Sequence, residues 1–403
     1  MPRQVEQCEL SGPLPAIRPA IGPGGAPYAR ARVLARLHSR PLGFVDVAVP
    51  IESAALRQTI EAQLGDELKR SDPAEPRRPA AEVPFVSVVI PTRDRPELLR
   101  RTLDSVLACD YPADRLEVLV ADNVPSDDGT RSLVDELARG DERLSYLLAP
   151  RPGSGPARND GVARARGEIV AFVDDDAVAD RHWLAELVAG FDAAHCVMCV
   201  TGLVVAAELD TWAQQLFEEY GGFGKGFENA LYDLGANRPP QAMFPFNPGM
   251  LGSGNNVAFR ADALRALGGY DPALGNGTPS RSAEDWELFL RLLRRGFTAA
   301  YRPGAIVHHR HRRELPELES QLHDYGVGLG AAITRTVVHD PGAVLEIARR
   351  LPTAAYFLLS SRSSKNRAQS GSYPRELRRA ELAGLVRGPA AYLRSRRAGR
   401  SHT

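Results

Sequence analysis

An α/β fold with a mainly parallel central sheet is what this sequence predicts, and three observations carry that reading. From Val86 the chain alternates strand-like and helical texture: Val86 to Ile90, Pro96 to Ala108, Leu116 to Ala121, then Asp128 to Leu137. Polar and acidic residues follow the apolar runs directly, which is where ligands of open α/β sheets bind. With 403 residues, 43% hydrophobic and 25% charged, the chain is long enough to bury a large core and has globular proportions. A disordered, collagen-like or disulfide-stapled chain is thereby excluded. Four scattered cysteines, no run near the roughly 20 apolar residues of a spanning helix, and no apolar signal core between Met1 and Ala20 predict a cytoplasmic protein.

In chain order, residues 1–82 read as an accessory strand and helix segment with a linker. Pro41 to Val49 is a strand-like run, and Leu56, Ile60 and Leu64 share one side of a helix over Ala54 to Leu64. Ser71 to Glu82 is rich in proline and charge and reads as the linker. Residues 83–312 form the main domain, and 313–403 a helical, basic C-terminal region. From Arg362 onward eleven Arg or Lys stand against Glu376 and Glu381, an excess of nine on a chain of formal charge zero. Only Lys69, Lys225 and Lys365 are lysines, so arginine abundance is a compositional habit here and no nucleic-acid partner is expected.

The chemistry concentrates at strand exits. Asp174, Asp175 and Asp176 follow the apolar run Ile169 to Val173; three adjacent carboxylates repel and raise their own pKa values unless a cation neutralises them. A hard divalent cation, Mg²⁺ or Mn²⁺, does this and also holds a diphosphate. The plainer alternative is an acidic turn capping a helix from Ala179 onward. Gly252 to Arg260 places small residues before a strand and a short helix. Glu284 and Asp285 open a further helix, where carboxylates suit the helix dipole, or where Asp285 serves as a general base. Val307 to Arg312 ends a short strand in histidines that are metal ligands or a basic turn. Cys196 and Cys199 sit three apart, facing opposite sides of a strand, and read as buried cysteines of the core.

Taken together these residues resemble a bacterial family 2 glycosyltransferase of the GT-A fold. The resemblance runs from Val86 to Arg312 through Val88 to Arg95, Leu103 to Leu107 ahead of Tyr111-Pro112, Val120 to Asn123, and Gly155 to Gly161. It continues through the Asp-x-Asp motif at Asp174 to Asp176, Asn255 to Arg260, and Glu284-Asp285. It implies inverting transfer of a sugar from a nucleotide-diphosphate donor to an acceptor hydroxyl, with Mg²⁺ or Mn²⁺, in envelope, polysaccharide, glycolipid or secondary-metabolite synthesis. Pro91, Thr92, Arg93, Asp94 and Asp122 are implied at base and ribose, Arg158 and Asn159 at the diphosphate. Asp174 and Asp175 are implied on the nucleotide, Asp174 and Asp176 at the metal, and His309 or His311 as a further ligand. Asp285 is the implied base with Glu284 supporting it, and the stretch 208–250, with Phe217, Glu218 and Gly221 to Gly226, the implied acceptor side or a mobile lid.

Two other classes compete. A nucleotidyltransferase would carry a Gly-rich basic loop after its first strand, where this chain has Pro91-Thr92-Arg93-Asp94. A non-catalytic scaffold of a carbohydrate-assembly system would have shed a carboxylate, yet Asp122, Asp174, Asp176 and Asp285 all stand. The last expectation concerns location. Apolar spacing in Ala343 to Leu359 and the basic stretch Arg375 to Arg400 suit a peripheral seat on anionic lipid at the inner membrane face, with a lipid-linked acceptor. Packing of those helices on the main domain is the alternative.

Overall fold

The computed structural model describes residues 2–70, 82–360, 362–363, 365–366 and 373–400. Residues 71–81 of the expected linker lie outside the described residues. The N-terminal unit is a three-stranded sheet of β1 (Gln4–Glu9), β2 (Arg30–Leu37) and β3 (Arg40–Ala48), covered by α1 (Ser53–Arg70). β1 and β2 were not anticipated: arginines at 30, 32 and 36 alternate with the apolar residues that face inward and disguise the second strand. The helix also outruns its expected end at Leu64, which has a non-helical φ of −121°. Leu34 and Phe44 of this unit pack against Leu203, Val205 and Ile306 of the main sheet. Arg36 reaches Asp180 at 2.6 Å in a buried ion pair across the same junction.

The main sheet is built from β4 (Val86–Thr92), β5 (Leu116–Asn123), β6 (Leu144–Ala149), β7 (Ile169–Val173), β8 (Ala177–Ala179), β9 (Val197–Ala206), β10 (Ala230–Tyr232), β11 (Asn256–Arg260) and β12 (Thr298–His309). Its order is β10-β12-β9-β11-β7-β4-β5-β6, with β8 beside β12. β4, β5, β6 and β7 are mutually parallel and β9 is parallel to β12, while β11 runs antiparallel between β7 and β9. The predicted mainly parallel α/β architecture is therefore what forms. Around the sheet lie α2 (Pro96–Leu107), α3 (Gly129–Ala138), α4 (Ser154–Arg164), α5 (Trp183–Gly190), α6 (Trp212–Tyr220), α7 (Ala261–Ala266) and α8 (Glu284–Arg294). α2 shows why: Leu99, Leu103 and Val106 recur at helical spacing and are all buried against the sheet.

Five local expectations need correction. β4 runs two residues past Ile90, through Pro91 and Thr92, which pair with β5 alone because β7 pairs only with residues 86–89. Asp122 and Asn123 lie within β5 rather than after it, and the strand ending in the histidines is long, Thr298–His309. No helix starts at Ala179: Ala177–Ala179 is a short strand held by β12, and α5 begins at Trp183. Cys196 precedes β9 and is exposed, whereas Cys199 is buried, because only the latter lies in the strand.

C-terminal to the sheet, α9 (Leu315–His339) and α11 (Arg375–Arg400) lie against the main domain, burying Leu318, Leu322, Leu377 and Tyr392. Between them α10 (Pro341–Leu359) buries only Ala343 and turns Val344, Leu345, Leu351, Tyr356 and Leu359 outward. Among the described residues no helix is long and apolar enough to cross a membrane.

Candidate active site

Two adjoining cavities open where β4 and β7 end. The larger, about 770 Å³, is bordered by Pro91, Thr92 and Arg93 on one side and by Asp174, Asp176 and His309 on the other. The smaller, about 330 Å³, contains Glu284, Asp285 and Trp286. Arg158, Asp174, Phe223 and Tyr325 border both.

The carboxylate cluster is shaped by strand pairing. β8 pairs antiparallel with β12 and sets His309 opposite Ala177, one residue beyond Asp176. His309 Nε2 consequently stands 3.3 Å from Asp176 Oδ1. One ligand atom each from Asp174, Asp176 and His309 lie within 4.8 Å of one another. Two carboxylates and an imidazole converging in this way fit a divalent cation in both donor type and spacing. Burial alone would raise the Asp176 carboxyl, but His309 and Arg95 outweigh it and hold Asp176 at about 2. His309 is raised in turn: burial opposes its charge, and Asp176 prevails. His311 takes another course. Its Nε2 meets Glu218 at 3.0 Å and its Nδ1 faces that of His309 at 3.3 Å, so it braces His309 from behind.

Asp175 points inward. Thr92 Oγ1 donates to its Oδ2 at 2.7 Å, and burial, reinforced by Asp176, pushes its carboxyl up to about 6. On the far side of β7, Arg158 is 5% exposed and forked. One arm donates to Asp174 Oδ1 and the other to Glu284 Oε1, each at 2.8 Å. Gly161, one turn along α4, makes this reach possible: a Cβ there would stand 2.4 Å from Val89 Cγ1 and push the helix off β4. Ser154 Oγ adds a second donor to Glu284 at 2.6 Å.

Asp285 is the second residue of α8, which follows Ala283, whose φ of +69° turns the chain into the helix. Its Oδ2 accepts the Gly254 N–H and its Oδ1 the Trp286 N–H, both at 2.7 Å. Only glycine fits at 254, since a Cβ would lie 2.8 Å from that of Asp285. Burial, then the neighbouring Glu284, raises the Asp285 carboxyl.

The remaining expected residues divide. Asp94 and Asp122 do not line either cavity. Asp94 sits at φ +54° and accepts the Ser126 N–H at 2.8 Å, tying the loops after β4 and β5 together. Asp122 is fully buried, takes the Tyr146 hydroxyl at 3.1 Å, and is raised by burial to about 6. Asn159 spends its amide on the backbone of Tyr270, with both bonds at 2.8 Å. Sequence reading missed Tyr270, over whose ring Arg158 lies at 5.5 Å, and the α9 wall formed by Gln321 and Tyr325. The stretch that forms α9 was legible only as part of a helical C-terminal region, which does not say which side meets the sheet.

The family model described as Glycosyltransferase like family 2 matches residues 84–323, more than half of the chain. The chain therefore belongs to glycosyltransferase family 2, and its mixed sheet is of the GT-A type that the family implies. The pre-mycofactocin glycosyltransferase of Mycobacterium tuberculosis is 28% identical over 291 residues, 70% of this chain and 54% of that protein. Glycosyltransferase AglE of Haloferax volcanii is 37% identical over 103 residues, 25% of this chain and 34% of that protein. The chain thus spans between a third and about half of the length of these relatives. Among solved structures, the mannosyltransferase PcManGT of Pyrobaculum calidifontis, in complex with GDP-Man and Mn²⁺, is similar with a TM-score of 0.49 and 22% identity. That similarity covers 87% of this chain and 90% of the other.

Proposed function

We propose that the chain transfers a sugar from a nucleotide-diphosphate donor to an acceptor hydroxyl with inversion at the anomeric carbon. The observation that carries this reading is the Asp285 carboxylate, fixed by two backbone N–H groups at the smaller cavity, next to the cavity that holds the Asp174, Asp176 and His309 cluster. Asp285 takes the proton of the attacking hydroxyl as its oxygen bonds to the anomeric carbon. The bond from that carbon to the diphosphate oxygen breaks, and the leaving group departs with the electron pair. Attack from the Asp285 side, opposite the departing diphosphate, inverts the centre. Asp174, Asp176 and His309 would hold Mg²⁺ or Mn²⁺, which when bound neutralises diphosphate charge. Arg158 keeps Asp174 and Glu284 in place from beneath, and Pro91, Thr92 and Arg93 border the space for the nucleotide. Residues 1–82, 83–312 and 313–403 are proposed as accessory segment, transferase domain and basic helical region.

A seat on an anionic membrane surface belongs to the same proposal, at its inner, cytoplasmic face and with envelope glycan or glycolipid as acceptor. The outward apolar face of α10 supports it: Leu345, Leu351 and Leu359 are each 59% exposed, beside a C-terminal stretch with an excess of nine positive charges.

The test is a panel of nucleotide sugars with Mn²⁺, Mg²⁺ or chelator, following release of the nucleoside diphosphate. Metal-dependent release with one or a few donors is expected; none with any donor overturns the transfer reading. For the membrane, full-length protein and a Leu345→Ser/Leu351→Ser/Leu359→Ser variant are sedimented with anionic vesicles at low and high salt. Equal pelleting of both removes α10 from the explanation.

A further inference from the structure

We propose that the smaller cavity is a subsite for an acceptor sugar bearing a negative charge, and that Lys225 reads that charge. The proposal rests on the transfer reading above and names its acceptor class.

Lys69 faces Asp66 at 3.8 Å and Lys365 is paired with Glu381. Lys225 differs: among the described residues its ammonium has no hydrogen bond or ion pair, although it borders the smaller cavity. Asp285 and Glu218 act on it only across space; Glu218 is already engaged by His311 and Arg32, and Asp285 by backbone N–H groups. Half-buried at the cavity wall, the lysine has its pKa lowered by burial. A desolvated ammonium without a partner is costly unless something fills the place.

The cavity's other basic residue, Arg158, is neutralised by Asp174 and Glu284, which leaves Lys225 as the unpaired cation there. It does not border the larger cavity, where Arg93, Arg95 and Arg312 face the space proposed for the diphosphate. Phe223 and Trp286 border the same cavity and supply apolar surface for a sugar ring. One ligand therefore meets two points: its hydroxyl at Asp285 and its carboxylate or phosphate at Lys225.

The test uses the full chain with octyl glucoside, octyl glucuronide and octyl glucoside 6-phosphate as probes. Binding is followed by ligand-observed NMR with Mn²⁺-free nucleoside diphosphate present, and transfer with the active donor. Lys225→Met, the near-isosteric neutral variant, should lose about 10- to 100-fold in affinity and kcat/KM for a charged probe, the worth of a charge-assisted hydrogen bond. The neutral probe should be unaffected, and Lys225→Arg should keep most of the preference. Whether the glucuronide or the phosphate loses more identifies the anion. Equal losses for neutral and charged probes, or weaker nucleoside diphosphate binding, would overturn the proposal by making Lys225 a counter-ion of Asp285 or a donor contact. A melting temperature equal to wild type shows that the variant folds. Failure of the transfer reading appears separately, as absence of donor turnover in wild type, while the NMR arm still judges the subsite.

Discussion

Arg158 joins two carboxylate groups that live in opposite surroundings. On one side, Asp176 faces His309 and Arg95, and these cations hold it at about 2 in spite of its burial. On the other, Asp285 meets only backbone N–H groups and its own neighbour Glu284, and burial raises it. The two side chains thus suit the different work proposed for them: one to remain charged and gather a cation, the other to receive a proton. The difference lies in the partners, since burial pushes both the same way.

The sharpest way to break this comparison is Asp285→Asn. Transfer should slow by about 10²- to 10⁴-fold, the usual share of a general base, with donor affinity kept. Collapse of donor affinity with an unchanged transfer step would put Asp285 on the binding side instead. Next comes the shared link. Arg158→Met leaves the buried Glu284 and the part-exposed Asp174 without their cation, and urea unfolding should show a loss of about 3 to 5 kcal/mol. A variant as stable as wild type would mean that the two groups do not depend on Arg158.

Asp176→Asn tests the other arm. Mn²⁺-dependent donor binding should weaken by at least about 10- to 100-fold, a cost seen even when groups behind a metal ligand are disturbed. Titration calorimetry that finds it unchanged removes Asp176 from the metal site. The smallest effect is expected at Asp122, a third buried carboxyl, which sharpens the comparison because it faces a tyrosine rather than a cation. Its folded-state value of about 6 exceeds the ordinary 3.8, so its stabilising contribution is present below about pH 4 and fades as pH rises through 6. Asp122→Asn should flatten that slope in stability between pH 4 and 6; an unaltered slope assigns it to another group.

Much of the architecture was legible because its signals are local. Apolar runs of strand length, Leu99, Leu103 and Val106 at helical spacing, and acids after the runs require no knowledge of distant residues. Where local signals mislead, the structure departs from expectation. β2 was hidden by its arginines, and Ala179 read as a helix start, whereas Ala177–Ala179 pairs with β12. The choice between His309 and His311 was equally invisible. Both lie two apart near one strand end, and only the β8 register turns His309 toward Asp176 and leaves His311 to Glu218.

The sequence by itself determined the fold class, the family, and the inventory of carboxylates at strand ends, because alternation and residue type are properties of short windows. Tertiary structure decided which of them meet. Arg158 reaches Glu284 across 126 positions and Gly254 reaches Asp285 across 31. Lys225 acquires its meaning only from the cavity wall on which it stands. Such encounters depend on strand order, on helix packing as close as a missing Cβ permits, and on the exclusion of water from the space between, none of which any stretch of chain encodes alone.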